Sequence, residues 1–510
     1  MRVGSEHSVR IHREGPRRPS PVLYALGLGF VVAYVVRWRS DPLHAIPTVG
    51  GPSLPILSLI SVYNFIFRGH ELIMEGYQKY YGSAFKVASL DGWNVVVSGP
   101  KLVDELRKRP DDELSFLEAT EEFLQFTHTL GRQSLDDSFH IDIIRDKLMR
   151  TLPVVLPDVI DELSYAVPDY IPTAGEEWTT VHAMTTMQKI VARISNRVFV
   201  GIPLCRDKSY LKLAIDFTTD VVKDVPSSLS SPNSSARECV KKQRRCSPRP
   251  RHEERHSDRP VSAASSRRAP GEDGRVGDGW EDKPNDMLQW VMEAAIPRRA
   301  SDENIAERIL LTNFAAIHTR PWCSITHALY SLAAYPEYMQ PLRDEVEAVV
   351  AAEGWSKAAM GKMWKLDSFL REAQRCHGIG IRRHALRRHL PPHGHPLLRR
   401  LLGHAPRRAL YPDPDTFDPF RYANMRGADG EGTKHQFVNT SLDYIAFGHG
   451  KHAWYVPSVA LRPGAVLRAS ELKSMLAFIV ANYDLKLPGD GKRPRNVHFG
   501  LLLKRQTVSA

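Results

Sequence analysis

The sequence predicts a mainly α-helical domain with a minor β-sheet, preceded by an N-terminal membrane anchor. Three observations predict it. Apolar residues recur at spacings of three and four through most of the chain, the period of one helical face. Strand-like alternation is confined to one short stretch near the start of the domain, and an uncharged apolar run stands ahead of both.

That run is "PVLYALGLGFVVAYVV", Pro21 to Val36, closed by Arg37, Trp38 and Arg39. Its length approaches the ~20 residues of a membrane span, and Trp and Arg suit the interface. No small-residue cleavage site follows it, which weighs against a signal peptide. Residues 1–40 are therefore expected to be a tail and membrane anchor, and residues 41–510 a single large domain. Directly after the run, Pro42, Pro47, Pro52 and Pro55 form a stiff linker. "AFKVASLDGWNVVVSGP" then alternates about Asp91-Gly92, a favourable two-residue hairpin turn. Helical spacing follows over Phe139–Leu152, Met184–Val198, Asp286–Ala295, Asn304–Ala334, Tyr338–Ala352, Leu366–Cys376 and Ala469–Tyr483.

At 510 residues, with 42% hydrophobic and 25% charged residues, the chain has ample material for a buried core. Its formal charge of +11 argues for a nucleic-acid partner only if the excess covers one folded surface. It does not. Much of it sits in a polar insert at 237–279 and in a tract from Arg382 to Arg408 that holds eight arginines, five histidines and no acid. No aromatic residues interleave these arginines, so no nucleic-acid partner is expected. Five cysteines without paired spacing fit a reducing compartment rather than a disulfide framework or zinc site.

Three short strings carry chemistry. Glu372 and Arg375, three apart, share a helical face; alone, such a pair is commonly surface decoration. Some forty residues on come Phe417, Pro419 and Arg421 as F-x-P-x-R, and then the loop "FGHGKHAW", with Phe447, Gly450, His452 and Trp454. In this order, behind a hydrophobic anchor, a hinge, a hairpin and a long central helix, the chain resembles the cytochrome P450 superfamily. Its membrane-anchored fungal haem-thiolate monooxygenases are the nearest pattern. The resemblance covers most of the chain from about Pro21 to Leu503.

The resemblance implies a mainly α cytochrome P450 fold with haem b and electrons from NADPH through a separate NADPH-cytochrome P450 reductase. The reaction it implies is oxidation of an apolar small molecule, of secondary-metabolite or xenobiotic type, with O2. It implies a catalytic domain facing the cytosol at the endoplasmic reticulum membrane. Carried over by position, Glu372, Arg375 and Arg421 form a buried triad beneath the haem. Ala315, Ala316, His318 and Thr319 line the oxygen pocket, with Thr319 as hydrogen-bond donor and His318 as proton source in place of the usual acid. His140 and Arg145 face the haem propionates at a spacing one longer than the commonest family pattern. Pro321 falls where the family helix continues.

One departure dominates. Where the family loop has its haem-ligand cysteine this chain has Trp454, and Val456 takes the following glycine place, so no metal ligand is assigned. Thiolate ligation gives the family its oxygen chemistry, and indole has no lone pair to substitute. Trp454-Tyr455-Val456 is encodable as TGG TAT GT, in which a cysteine codon begun as TG runs into a splice-donor-like GTATGT. Segments 237–279, 382–408 and 454–468 are accordingly expected to be retained intron or frame-shifted translation, with the 382–408 tract displacing family sheet. Two rivals follow: a catalytically dead, membrane-tethered protein of the same fold, and a basic membrane- or RNA-binding protein using the arginine tracts.

Overall fold

The computed structural model describes residues 21–40, 42–54, 57–89, 92–110, 113–115, 137–173, 175, 177–217, 283–317, 321–377, 382–386, 400–404, 411, 413–414, 416–442, 444–446, 463–489, 491–494, 496, 498–499 and 502–503. The 237–279 insert, His318, Thr319, Phe447, Gly450, His452 and Trp454 lie outside them. The architecture is mainly helical with small sheets, as expected.

The apolar run folds as α1 (Pro21–Arg39). Leu28, Phe30 and Val31 to Val36 are largely exposed on it. Among the described residues no helix is long and apolar enough to cross a membrane, so the expected spanning anchor is not found. α1 is 19 residues long, and its uncharged part extends ~24 Å at 1.5 Å per residue. Past the proline-rich linker comes α2 (Ser58–Lys79), an element absent from the sequence-based expectation, which kinks at Arg68. Its first half leaves Leu59, Ile60, Tyr63 and Phe67 exposed, whereas its second half buries Leu72, Ile73 and Tyr77. Gly76 lies on that buried side; a Cβ there would fall 2.3 Å from the Phe85 ring, so the helix seats closely on the sheet only because this position is glycine.

β1 (Ala84–Ser89) and β2 (Gly92–Ser98) form the expected hairpin. Its closing pair is Ser89 with Gly92, one residue earlier than the Asp91-Gly92 turn, and Gly92 takes φ 118, a conformation open to glycine. α3 (Pro100–Lys108) and β3 (Leu114–Ser115) follow. The five-stranded sheet runs β1-β2-β5-β4-β3, where β4 is Arg382–Leu386 and β5 is Arg400–His404. β5 pairs parallel with β2 and antiparallel with β4. Both ends of the arginine tract therefore enter the sheet it was expected to displace. Ladder bonds use backbone N–H and C=O groups, which do not depend on the reading frame of the side chains.

The helical body comprises α4 (Phe139–Ile143), α5 (Met149–Tyr170), α6 (Ala183–Phe199), α7 (Met287–Ala295), α8 (Asp302–Ile317), α9 (Pro321–Ala334), α10 (Met339–Glu353), α11 (Lys357–Lys362), α12 (Trp364–His377), α13 (Arg421–Arg426) and α14 (Pro463–Asn482). One continuous apolar core joins α5, α6, α8, α9, α12 and α14. Of the helix expected over Asn304–Ala334, α8 (Asp302–Ile317) and α9 (Pro321–Ala334) are helical, and residues 318–320 lie outside the described residues. A buried polar knot ties α8 to its neighbours: Asn196 Nδ2 donates to Asn313 Oδ1 at 2.8 Å, and Tyr210 OH donates to Asn196 Oδ1 at 3.0 Å.

Candidate active site

Glu372 sits on α12 with no exposed surface, and Arg375 and Arg421 are both buried. Arg375 grips it bidentately, Nε to Oε2 and Nη2 to Oε1, each at 2.7 Å. Arg421, from α13, reaches Oε1 at 3.4 Å, and the Asp418 amide donates to the same oxygen at 3.1 Å. Arg375 also donates to the carbonyls of Pro414 and Thr416, so the pair clamps the 413–421 segment against α12. Burial pulls the Arg375 guanidinium down, but the Glu372 bond outweighs it and holds it above the ordinary arginine range. The surface-pair reading of Glu372 and Arg375 does not survive this burial. A bidentate, fully desolvated pair is an assembly that fails as a unit.

A second charged knot lies one turn away. Asp367 Oδ1 accepts from Lys473 Nζ of α14 at 2.8 Å, and its Oδ2 accepts from the Phe437 amide at 2.7 Å. Arg426 stands 3.6 Å from the same carboxylate. Between the knots Arg371 stacks on Tyr444 at 4.0 Å and Tyr422 at 4.4 Å. Together they tie α12, α13 and α14 to the segment that leads into the Phe447 loop.

His140 and Arg145 come from α4 and the π-helical turn Ile144–Leu148 that joins α4 to α5. A π-turn takes up one extra residue within a helix and is common at functional sites; here it falls where the family spacing is exceeded by one. His140 is 1% exposed and its Nε2 has no hydrogen-bond partner. Burial, then the nearby Arg308 charge, pushes the imidazole down to about 3. Arg145 is half-buried, pairs with Asp142 through Nη1 at 2.9 Å, and leaves its buried Nε without a partner.

Ala315 and Ala316 stand at the end of α8, immediately before the expected His318 and Thr319. Arg468 of α14 donates to the Ala315 carbonyl. One turn further, Glu471 is buried with Oε1 unpartnered, and burial pushes its carboxyl up to about 7 against the pull of Arg468. Neither Glu471 nor Arg308 was expected from the sequence. Arg308 lies three after Ile305 and Glu471 four before Met475, but a single charge at helical spacing is as readily a solvated residue, so no signal in the sequence set either apart.

The cytochrome P450 family model matches residues 49–509. Cytochrome P450 monooxygenase 103 of Postia placenta is 42% identical over 502 residues, covering 94% of this chain and 95% of that protein. The chain belongs to the cytochrome P450 family. Cytochrome P450 monooxygenase CYP512U6 of Ganoderma lucidum is 41% identical, covering 91% and 90%, and an ent-kaurene oxidase of Fusarium fujikuroi is 29% identical, covering 93% and 89%. A crystal structure of a cytochrome P450, CYP102L1, superposes with TM-score 0.59 at 18% identity, covering 90% of this chain and 96% of that one; at that identity it speaks for the fold alone.

The family implies a haem. The described residues fit its acidic edge: His140 Nε2 and Arg145 Nε are buried groups of donor type that lack an acceptor, which is what a carboxylate supplies. At the iron the position that the family resemblance assigns to the ligand is Trp454, whose indole nitrogen only donates, so no iron ligand is assigned. No chemical step runs through iron in the chain as written.

Proposed function

We propose that the intact gene product is a haem-dependent monooxygenase that oxidises an apolar small molecule with O2, drawing electrons from NADPH through a separate reductase. When bound to a thiolate, the haem supplies the oxygen activation. The chain's own residues hold and orient it: the Glu372–Arg375–Arg421 knot braces the segments around it, while His140, Arg145 and His452 meet its carboxylates. Thr319 donates a hydrogen bond in the oxygen pocket and His318 delivers protons there. The observation that carries this reading is the buried knot joining Glu-x-x-Arg to F-x-P-x-R ahead of the Phe447 loop. The reaction class named for the family's relatives supports it.

Trp454 favours a second reading for the chain as written, a protein of this fold without the ligand that activates oxygen. The carbon-monoxide difference spectrum of the reduced, full-length protein separates the two, alongside cDNA sequence across codons 450–470. A thiolate-type band from the unmodified chain refutes the second reading. A cDNA that encodes Trp454, with no band after the cysteine loop is rebuilt, refutes the first.

We place the protein at the endoplasmic reticulum membrane with its haem domain in the cytosol. The apolar surfaces of α1 and of the first half of α2 support this, acting as a surface contact rather than a span. Flotation with anionic phospholipid vesicles tests it; protein that stays at the bottom of the gradient rules it out.

A further inference from the structure

α8 buries a full cation. Arg308 is 1% exposed, and three of its N–H groups are committed to uncharged acceptors. Nε donates to Asn304 Oδ1 at 2.8 Å, and Nη1 donates to the Asp137 carbonyl at 2.5 Å and to His140 Nδ1 at 3.0 Å. Its guanidinium carbon lies 3.8 Å over the Phe139 ring, so the side chain is clamped on both its edge and its face. Guanidinium only donates, and it keeps its proton. The contact with His140 therefore runs one way, with Nδ1 as acceptor, and a neutral imidazole that accepts at Nδ1 carries its hydrogen on Nε2.

We propose that Arg308 is a positioning residue: it fixes His140 as the Nε2–H tautomer, so that a permanent neutral donor faces a haem carboxylate. The inference rests on the haem reading above and adds to it a residue from a different helix. A neutral amide in the place of Arg308 can turn over and let Nδ1 hold the proton; a cation cannot. Burial and the Arg308 charge keep the imidazole unprotonated far below neutrality, so the donor's state does not change across the working range. The orphaned Nε2 is the independent sign that this donor awaits an acceptor the protein itself does not provide. The arrangement follows the rule that ligand-contacting histidines are set by what their other nitrogen touches.

Long-range nitrogen–proton NMR on the full chain with labelled histidine reads the tautomer directly, with His140→Gln used for assignment. The expected spectrum shows a bare Nδ1 and a protonated Nε2, unchanged across the neutral range. Arg308→Met gives mixed tautomers and weakens ferric haem uptake, followed by fluorescence quenching, by roughly tenfold. Arg308→Lys, which keeps a cationic donor, restores most of both. Adding Arg308→Met to His140→Phe costs little more haem affinity than His140→Phe alone. An Nδ1–H tautomer in the unmodified chain overturns the proposal, even if the Met variant does not fold. So does a Met variant with unchanged tautomer and unchanged affinity. The haem-uptake arms use the full chain with 454–468 rebuilt as a Cys-x-Gly loop; if that chain takes up no haem, the haem reading fails by that result, and the NMR spectra of the unmodified chain decide Arg308's part separately.

Discussion

At the residue scale, buried charge decides most of what can be tested. Glu372→Gln keeps the shape of the Arg375 contact but removes the buried carboxylate that Arg375 and Arg421 both reach. Breaking such a buried pair costs about 3–5 kcal/mol. Urea unfolding of the full chain should show a loss of that order, and an unchanged midpoint would mean that the 413–421 segment does not depend on the carboxylate. Glu471 and His140 give a pH signature of opposite signs. Glu471 holds its proton up to about 7 in the folded chain, above the unfolded value, so stability falls as pH rises from about 4.5 to 7. His140 is depressed to about 3, so stability rises with pH from about 3 to 6.5. The two slopes oppose between about 4.5 and 6.5 and leave the Glu471 loss alone above that. Glu471→Gln should therefore raise the melting temperature at pH 8, by removing a penalty of about 3 kcal/mol, and change little at pH 4. A variant that melts like the parent at both values contradicts the buried placement.

At the element scale, legibility followed the source of each element's stability. α10 buries one face and exposes another, and its spacing declared it; α6, α12 and α14 are buried on nearly every side, and apolar residues recurring at three and four marked them all the same. Ser58–Phe67 opens α2 with an uncharged, largely apolar sequence, so no stripe distinguished helix from linker. β4 and β5 were hidden for a different reason: their partners are backbone groups, and arginine- and histidine-rich side chains gave no alternation to read. The pairing of Val96 with Leu402 puts β5 in the middle of the sheet, where proline removes a ladder bond. Leu402→Pro should lower hydrogen-exchange protection of Val95, Val96 and Val97 at least tenfold, since β2 loses its parallel neighbour. Protection that stays at the parent level would mean that the 382–408 tract is not part of the sheet. In the site, Glu372, Arg375 and Arg421 were readable because three spaced strings named them together. Arg308 was not: a single arginine at helical spacing looks like a solvated residue until its burial is known.

At the scale of the whole molecule, the segments expected to be foreign to the family do not all stand apart from the fold. The arginine tract still closes the five-stranded sheet, and the knots around Glu372 and Asp367 still join α12, α13 and α14. What the chain lacks for oxygen chemistry is concentrated in 454–468, where Trp454 replaces the thiolate and Tyr455, Val456 and Pro457 replace small, flexible positions that allow backbone to approach a metal. Arg468 adds a cation against the end of α8. Three variants of the full chain therefore order themselves. Trp454→Cys alone should recover little of the thiolate-type carbon-monoxide band, because Tyr455, Val456 and Pro457 still stand where the sequence needs small, flexible residues. Replacing 454–468 with a Cys-x-Gly loop ending in alanine at 468 should recover most of it, with the arginine tract left as it stands. Adding a repaired 382–408 should then contribute little more haem content, its strands already being paired. A band that appears only when 382–408 is repaired would show that these strands fail to shape the haem pocket despite their register, and would move the decisive lesion from the ligand loop to the sheet.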